Sequence, residues 1–455
     1  MVSRWRRTGL VLTVTALVAA VGTSAASAKP AEAQGAAAAQ AHTLTIYGMG
    51  GRDDVAQGRL DYATDVIERL GHKVSNPVGG FNDQAFLARL AARDIPDLVY
   101  FGRDKVGTYA ARNALLPLAN CIASESIDRK QYRVAALQEV TYRGQLYALP
   151  EFTNQITLIV NREVARAAGV NVADIQTTNW AKLKQANRKM LKIESGRVTR
   201  IGFDPKIPEF FPLWVKWFGK DPISKNGLQA QLNSPEAVRA LTYTVGLIND
   251  HGGWNRFKAF RDTWDFFGRQ NQVAANQVGA WPMESWYYNV LADNSPNVDI
   301  QAKYFTNRRG GPITFFQGNG WAIPRGAQNP DLACKFMKAM TSVEAWRLVA
   351  KNRFDLRKRQ GRAFTGLYTG NAPADVKIYE DIYQPMGKPQ FDTAVALLVR
   401  ASRYGFSIPL SPASAEFKQA YIDAINRVLS RKQSPKQALD QAQREAQAAI
   451  NRARN

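Results

Sequence analysis

From Tyr142 to Arg166 the chain reads YRGQLYALPEFTNQITLIVNREVAR. Arg143-Gly144 between β-favouring residues predicts a turn, Pro150 stops the strand that follows, Ile156 to Val160 is an apolar strand, and Asn161 opens a helix. A chain that turns, halts at a proline and starts again in a buried strand can pass from one domain into another. The fold is therefore read outward from this join.

Upstream, Thr43 to Tyr47 alternates polar and apolar residues as a strand does, and Gly48-Met49-Gly50-Gly51 leads into a helix expected over Asp54 to Leu70. A second strand, His72 to Ser75, is followed by Gly79-Gly80 and a helix capped by Asn82, and IPDLVYFG then supplies a buried strand ending at Gly102. This β-α-β-α-β order marks a doubly wound lobe, in which ligands sit beyond the carboxyl ends of the strands. Gly50, Asn82, Asp83, Phe101 and Asp104 occupy those ends and are candidate ligand residues. The Gly48-x-Gly50 pair has Asp53 where a dinucleotide fingerprint needs its third glycine for close helix–strand packing, so no cofactor is expected.

Length and composition allow two ordinary domains: 455 residues, 45% hydrophobic. The formal net charge is +22, and losing Arg4, Arg6 and Arg7 with a leader would leave +19. Such a surface either disperses charge for solubility or meets an anionic ligand or envelope polymer. The leader itself has a basic n-region, an apolar stretch from Gly9 to Val21 and the small-residue site Ala26-Ser27-Ala28, so cleavage is expected after Ala28. Gly9 stands where a twin-arginine signal wants a bulky apolar residue, which favours general secretion, and no cysteine near the cut offers a lipoprotein anchor. A soluble periplasmic or secreted protein is expected, with residues 29–42 as an Ala/Gln-rich spacer.

Catalytic signatures are scarce. Three histidines (His42, His72, His251) form no H-E-x-x-H, and neither G-x-S-x-G nor a complete P-loop occurs. A glycosidase needs only two carboxylates, for which Glu151 and Glu284 are the pair to test. Basic residues do not line up with the aromatics as a single-strand platform requires, so nucleic acid is not an expected partner.

Several stretches resemble one family. The run "turn, YALP, acidic residue, strand, VN, helix" within Tyr142–Arg166 is similar to the first lobe crossing of the extracellular solute-binding proteins that feed sugar ABC importers, the maltose-binding-protein-like family 1. PDLVYFGRDKVGTYAARNALLPL resembles a second family signature, with Asn113 in place of the usual glycine, and GWAIPRGAQNPDLACKFMKAMTSVEAW a third. The resemblance implies a two-lobe α/β periplasmic-binding-protein-like fold of type II whose lobes are joined by hinge crossings. It implies a first lobe over residues 43–152, a second over 153–316, a return to the first over 317–355, and 356–455 in the second lobe with the C-terminal helices. It also implies no enzymatic activity, a carbohydrate ligand, ABC permease subunits as partners and a monomer.

For the cleft the resemblance implies Glu151 and Phe152 just after the proline, and Asn319 and Trp321 at the second crossing, Thr314 to Pro324. Gly318-Asn319-Gly320 equally suits a structural hinge. A third crossing near Asp355 to Arg362 brings Arg357 as a candidate, a solvated charge run being the other reading. Trp214 in FFPLWVKWFG and Trp281, Glu284 and Trp286 in a loop after Gly279 are further candidates, since an indole offers a flat apolar face plus a donor to a pyranose. Aromatics at helical spacing also serve as core. An oligosaccharide is expected, an anionic one being favoured slightly by the net charge. Cys121 and Cys334 would both lie in the first lobe, so that either a disulfide or two buried thiols is open.

Overall fold

The computed structural model describes residues 41–51 and 53–454; the leader, its cleavage site and most of the spacer lie outside them. The strands run in chain order as β1 (Thr43–Tyr47), β2 (Lys73–Ser75), β3 (Leu98–Gly102), β4 (Thr141–Tyr142), β5 (Gln145–Leu146), β6 (Leu149–Pro150), β7 (Ile156–Asn161), β8 (Lys192–Glu194), β9 (Arg197–Phe203), β10 (Val278–Glu284), β11 (Ile300–Thr306), β12 (Pro312–Phe315), β13 (Asn319–Ala322) and β14 (Gly405–Phe406). One sheet has the order β2-β1-β3-β13-β6, the other β14-β12-β11-β7-β10-β9-β8. In the first, β1 pairs parallel with β2 and β3, and β13 enters antiparallel between β3 and β6. In the second, β7 is buried along its whole length and pairs antiparallel with both β10 and β11. The chain is a two-lobe α/β protein, each sheet with its own apolar core.

The join at Tyr142–Arg166 explains the arrangement. Arg143 and Gly144 both adopt positive φ, 48° and 79°, which closes the β4–β5 hairpin with the twist that two-residue turns favour. After Pro150 the chain leaves the first sheet through Glu151–Gln155 and becomes β7, the central strand of the second; Asn161 then caps the helix Arg162–Ala167 by accepting from the Val164 N–H. The return passes through Phe316–Gly318 between β12 and β13. The two crossings are bonded to each other: the Asn154 N–H donates to the Gln317 carbonyl at 2.7 Å.

Local signals account for several helix starts. Asn82, Asn179, Ser234 and Ser434 each accept a backbone N–H at a helix start, and Asn113 takes the left-handed position, φ 57°, that the glycine of the resembling signature would take. Ser342 caps the helix Val343–Arg359, accepting from the Ala345 N–H, while Thr341 before it is buried and turns its hydroxyl back to the Met337 carbonyl. The crossing expected near Asp355 to Arg362 is not extended chain, because the helix Val343–Arg359 runs through it. Residues 364–382 pack against that helix and Val55 in a third apolar cluster.

Cys121, in the helix Ala119–Ser124, and Cys334, in the helix Pro330–Thr341, are joined by a disulfide with their Cα atoms 5.5 Å apart. The bridge ties chain laid down before the first crossing to chain laid down after the return.

Candidate ligand cleft

Between the lobes lies a cavity of about 830 Å³. Its first-lobe wall is made by the loop Gly48–Gly51 after β1, Phe81, the carboxyl end of β3 and the first turns of the helix Asp54–Glu68; its second-lobe wall carries Phe267, Ser285 and Trp286. Phe152 to Asn154 and Asn319 form the floor, and Trp346, Arg353 and Thr365 to Tyr368 close one end. Thus Gly50, Phe101, Phe152, Trp286 and Asn319 of the sequence candidates come together around one space.

The other candidates have different surroundings. Trp214, Trp281 and Trp321 are fully buried and are core residues. Trp281 is on β10, a strand rather than the expected loop, and points into the second-lobe core, edge-on to Trp264 and Tyr287. Trp321 lies in the first-lobe core between Tyr100 and Phe336, and the Trp214 indole donates to the Pro205 carbonyl. Glu151 has no exposed surface and is paired with Arg59, and of the two only the arginine lines the cavity. This also removes Glu151 as half of a catalytic carboxylate pair. Glu284 ends β10 outside the cavity lining; burial raises its carboxyl above the usual range against the pull of Lys206.

Asn82 spends its side chain as a cap, and Asp83 takes the Lys105 ammonium and the Tyr109 hydroxyl. Burial would push Asp83 up, but those two bonds outweigh it and hold it below the usual carboxylate range. Asp104 bonds Lys418 at 2.7 Å and lines a separate small cavity. Arg357 is buried against Asp293, which also takes Arg362, and is absent from the cleft wall.

The cleft's charges come from residues that motif reading passed over. Arg353 bonds both Asp53 and Asp54 and reaches Asn289. Burial works against the charge on Asp53, yet the Ala56 N–H and Arg353 keep its carboxyl below the usual range. Arg59 lies over the Trp346 ring, 3.8 Å from its centroid, with Glu151 as its charge partner. Each cation of the wall, Arg59, Arg353 and Lys105, therefore has at least one carboxylate of its own. A sequence signal existed for two of them. Arg59 falls on the stripe Val55, Leu60, Ala63, Ile67, and Arg353 on the stripe Trp346, Val349, Ala350, Phe354. A charge on an apolar stripe needs a buried partner.

Three buried polar atoms on the wall have no protein partner: Thr153 Oγ1, Trp346 Nε1 and Arg59 Nε. Around them stand the aromatic faces of Phe81, Tyr100, Phe152, Trp286, Phe267 and Tyr368, with Phe267 64% exposed and stacked on Trp286. Flat apolar faces beside the polar side chains of Asn154, Ser285, Asn289 and Asn319 suit a ligand that has apolar faces and a polar rim.

Comparison with known proteins agrees with this architecture. The family model for bacterial extracellular solute-binding proteins matches residues 82–353. An arabinooligosaccharide-binding protein of Bacillus subtilis is 23% identical over 267 residues, 57% of this chain and 59% of the relative. A maltodextrin-binding protein of the same organism is 22% identical over 259 residues, 54% of this chain and 57% of that one. The matches thus span less than two thirds of these relatives' length. Among solved structures, the mannobiose complex of CpMnBP1 superposes with a TM-score of 0.71 at 21% identity, over 90% of this chain and all of the other. The maltotriose-bound maltose/maltodextrin-binding domain from Bdellovibrio bacteriovorus does so at 0.64 and 17%, again over 90% of this chain and all of that domain. At these identities the structures speak for the fold alone, whereas the family model covers more than half of the chain: the protein belongs to the bacterial extracellular solute-binding proteins.

Proposed function

We propose that this protein is an extracytoplasmic binding protein that captures an oligosaccharide in the inter-lobe cleft and hands it to the permease of an ABC importer. The observation that carries the reading is the cleft wall itself, where the aromatic rings of Phe81, Phe152, Phe267 and Trp286 stand beside the polar side chains of Asn154, Ser285, Asn289 and Asn319. The arabinooligosaccharide, maltodextrin and mannobiose named for its relatives support the ligand class. Family membership supports a periplasmic or secreted location, and the basic and apolar runs before Ala28 support cleavage after that residue. The protein binds and releases its ligand unchanged, and the lobes close over it by hinge motion.

The internal pairing of Arg59, Arg353 and Lys105 argues for a neutral sugar and against the anionic one that net charge favours. Calorimetric titration with neutral and uronic oligosaccharides tests this. A neutral ligand is expected to bind with an affinity nearly independent of salt, since no charge–charge contact is gained. Trp286→Ala is expected to weaken that ligand about tenfold through the loss of one stacking face. Failure of every sugar to bind, or recovery of a cleaved ligand, would overturn the proposal.

A further inference from the structure

Arg103 follows β3 by one residue and has no exposed surface. Its Nη1 donates to the carbonyl oxygens of Phe152 at 2.6 Å and Asn319 at 3.1 Å, and its backbone N–H donates to the Gly318 carbonyl at 3.0 Å. Phe152 belongs to the first crossing and Asn319 ends the second, so one first-lobe side chain holds both. Gly318 shows how tightly: a Cβ there would collide with the Phe152 carbonyl oxygen and with the guanidinium. The guanidinium is oriented in turn by Glu139, whose Oε2 accepts from Nε at 2.9 Å.

Glu139 lines a second cavity, about 250 Å³, behind the cleft floor. Both crossings and the segment Ile408–Ser411 contribute to its wall, and the other charged groups there are Asp104 and Lys418, bonded to each other. A proton can therefore reach Glu139 beside the hinge. We propose that Arg103, steered by Glu139, is the positioning residue that sets the lobe-opening equilibrium, and that its grip follows the charge on Glu139. Protonating Glu139 removes the charge of the acceptor that orients the guanidinium, and with it the Coulomb attraction between them, so the fork is free to turn and both crossings slacken. Burial pushes the Glu139 carboxyl up to about 7, with Arg103 pulling down and Asp104 pushing up, which places the change close to neutrality.

The inference rests on the reading of a protein whose lobes move, and its test needs no ligand. Spectroscopic labels at the exposed positions Leu70, on the first lobe, and Ile193, on the second, report the lobe separation of the full chain. In the unmodified hinge the distance distribution is expected to broaden as pH falls through about 7. Glu139→Gln, which keeps shape and hydrogen bond but not charge, is expected to be broad at every pH, and Arg103→Lys, which loses the fork, likewise. Should Arg103→Lys fail to fold, Glu139→Gln and the pH series of the unmodified hinge still decide. A distribution that is the same at all pH values and unchanged in folded Glu139→Gln would overturn the proposal. If the carbohydrate reading alone is wrong, the distances respond to pH while no sugar binds.

Discussion

Replacing Cys121 and Cys334 together by alanine, or reducing the bridge, is expected to lower stability by about 5 kcal/mol, the chain-entropy value for a loop of this length. The cysteines are 213 positions apart, so the bridge restrains nearly half of the chain in the unfolded state. It also joins two helices that reach the first lobe from opposite sides of the long excursion through the second. Guanidinium melts with and without reductant measure the effect. The midpoint should fall and the denaturant slope should rise, because an unbridged chain expands further on unfolding. Ligand affinity at low denaturant should hold, since neither cysteine lines the cleft. An unchanged midpoint would show that the reduced chain keeps compensating structure.

Arg59→Met is expected to cost about 3–5 kcal/mol, comparable to losing the bridge, because it leaves Glu151 buried without its charge partner. The double substitution Arg59→Met with Glu151→Gln should recover most of that loss, since the cost lies in an uncompensated charge rather than in the absence of the pair. Binding should weaken in both variants: Arg59 lines the cleft and stacks on Trp346. Thermal melts and titrations of the two variants separate the effects. If the double variant proves as unstable as the single one, the pair matters through packing.

The topology was legible where neighbours in sequence decide it. The Arg143-Gly144 turn, the strand at Ile156 and the helix starts at Asn82 and Asn161 need only a few residues each. The cleft was only partly legible, because a residue's side of a wholly buried strand is fixed by the partner sheet. Trp281 and Trp286 are five positions apart, yet β10 turns the first into the core, and the helix start at Tyr287 leaves the second at the cleft. Glu151 read as an acceptor aimed at the ligand; its partner, Arg59, is 92 residues away. The disulfide stayed undecided for the same reason.

The insertion of β13 between β3 and β6 has a consequence for biosynthesis. A ribosome delivers β1, β2, β3 and β6 early, but the slot between β3 and β6 stays empty until residue 322 has emerged, long after β7 and most of the second sheet. Until then the early strands carry an unpaired edge and Cys121 a thiol with no mate in the chain already made. Vectorial folding from the N-terminus is thus blocked at the first lobe. A nascent chain held open in this way is suited to threading through a translocation pore, with its native structure assembled on the far side.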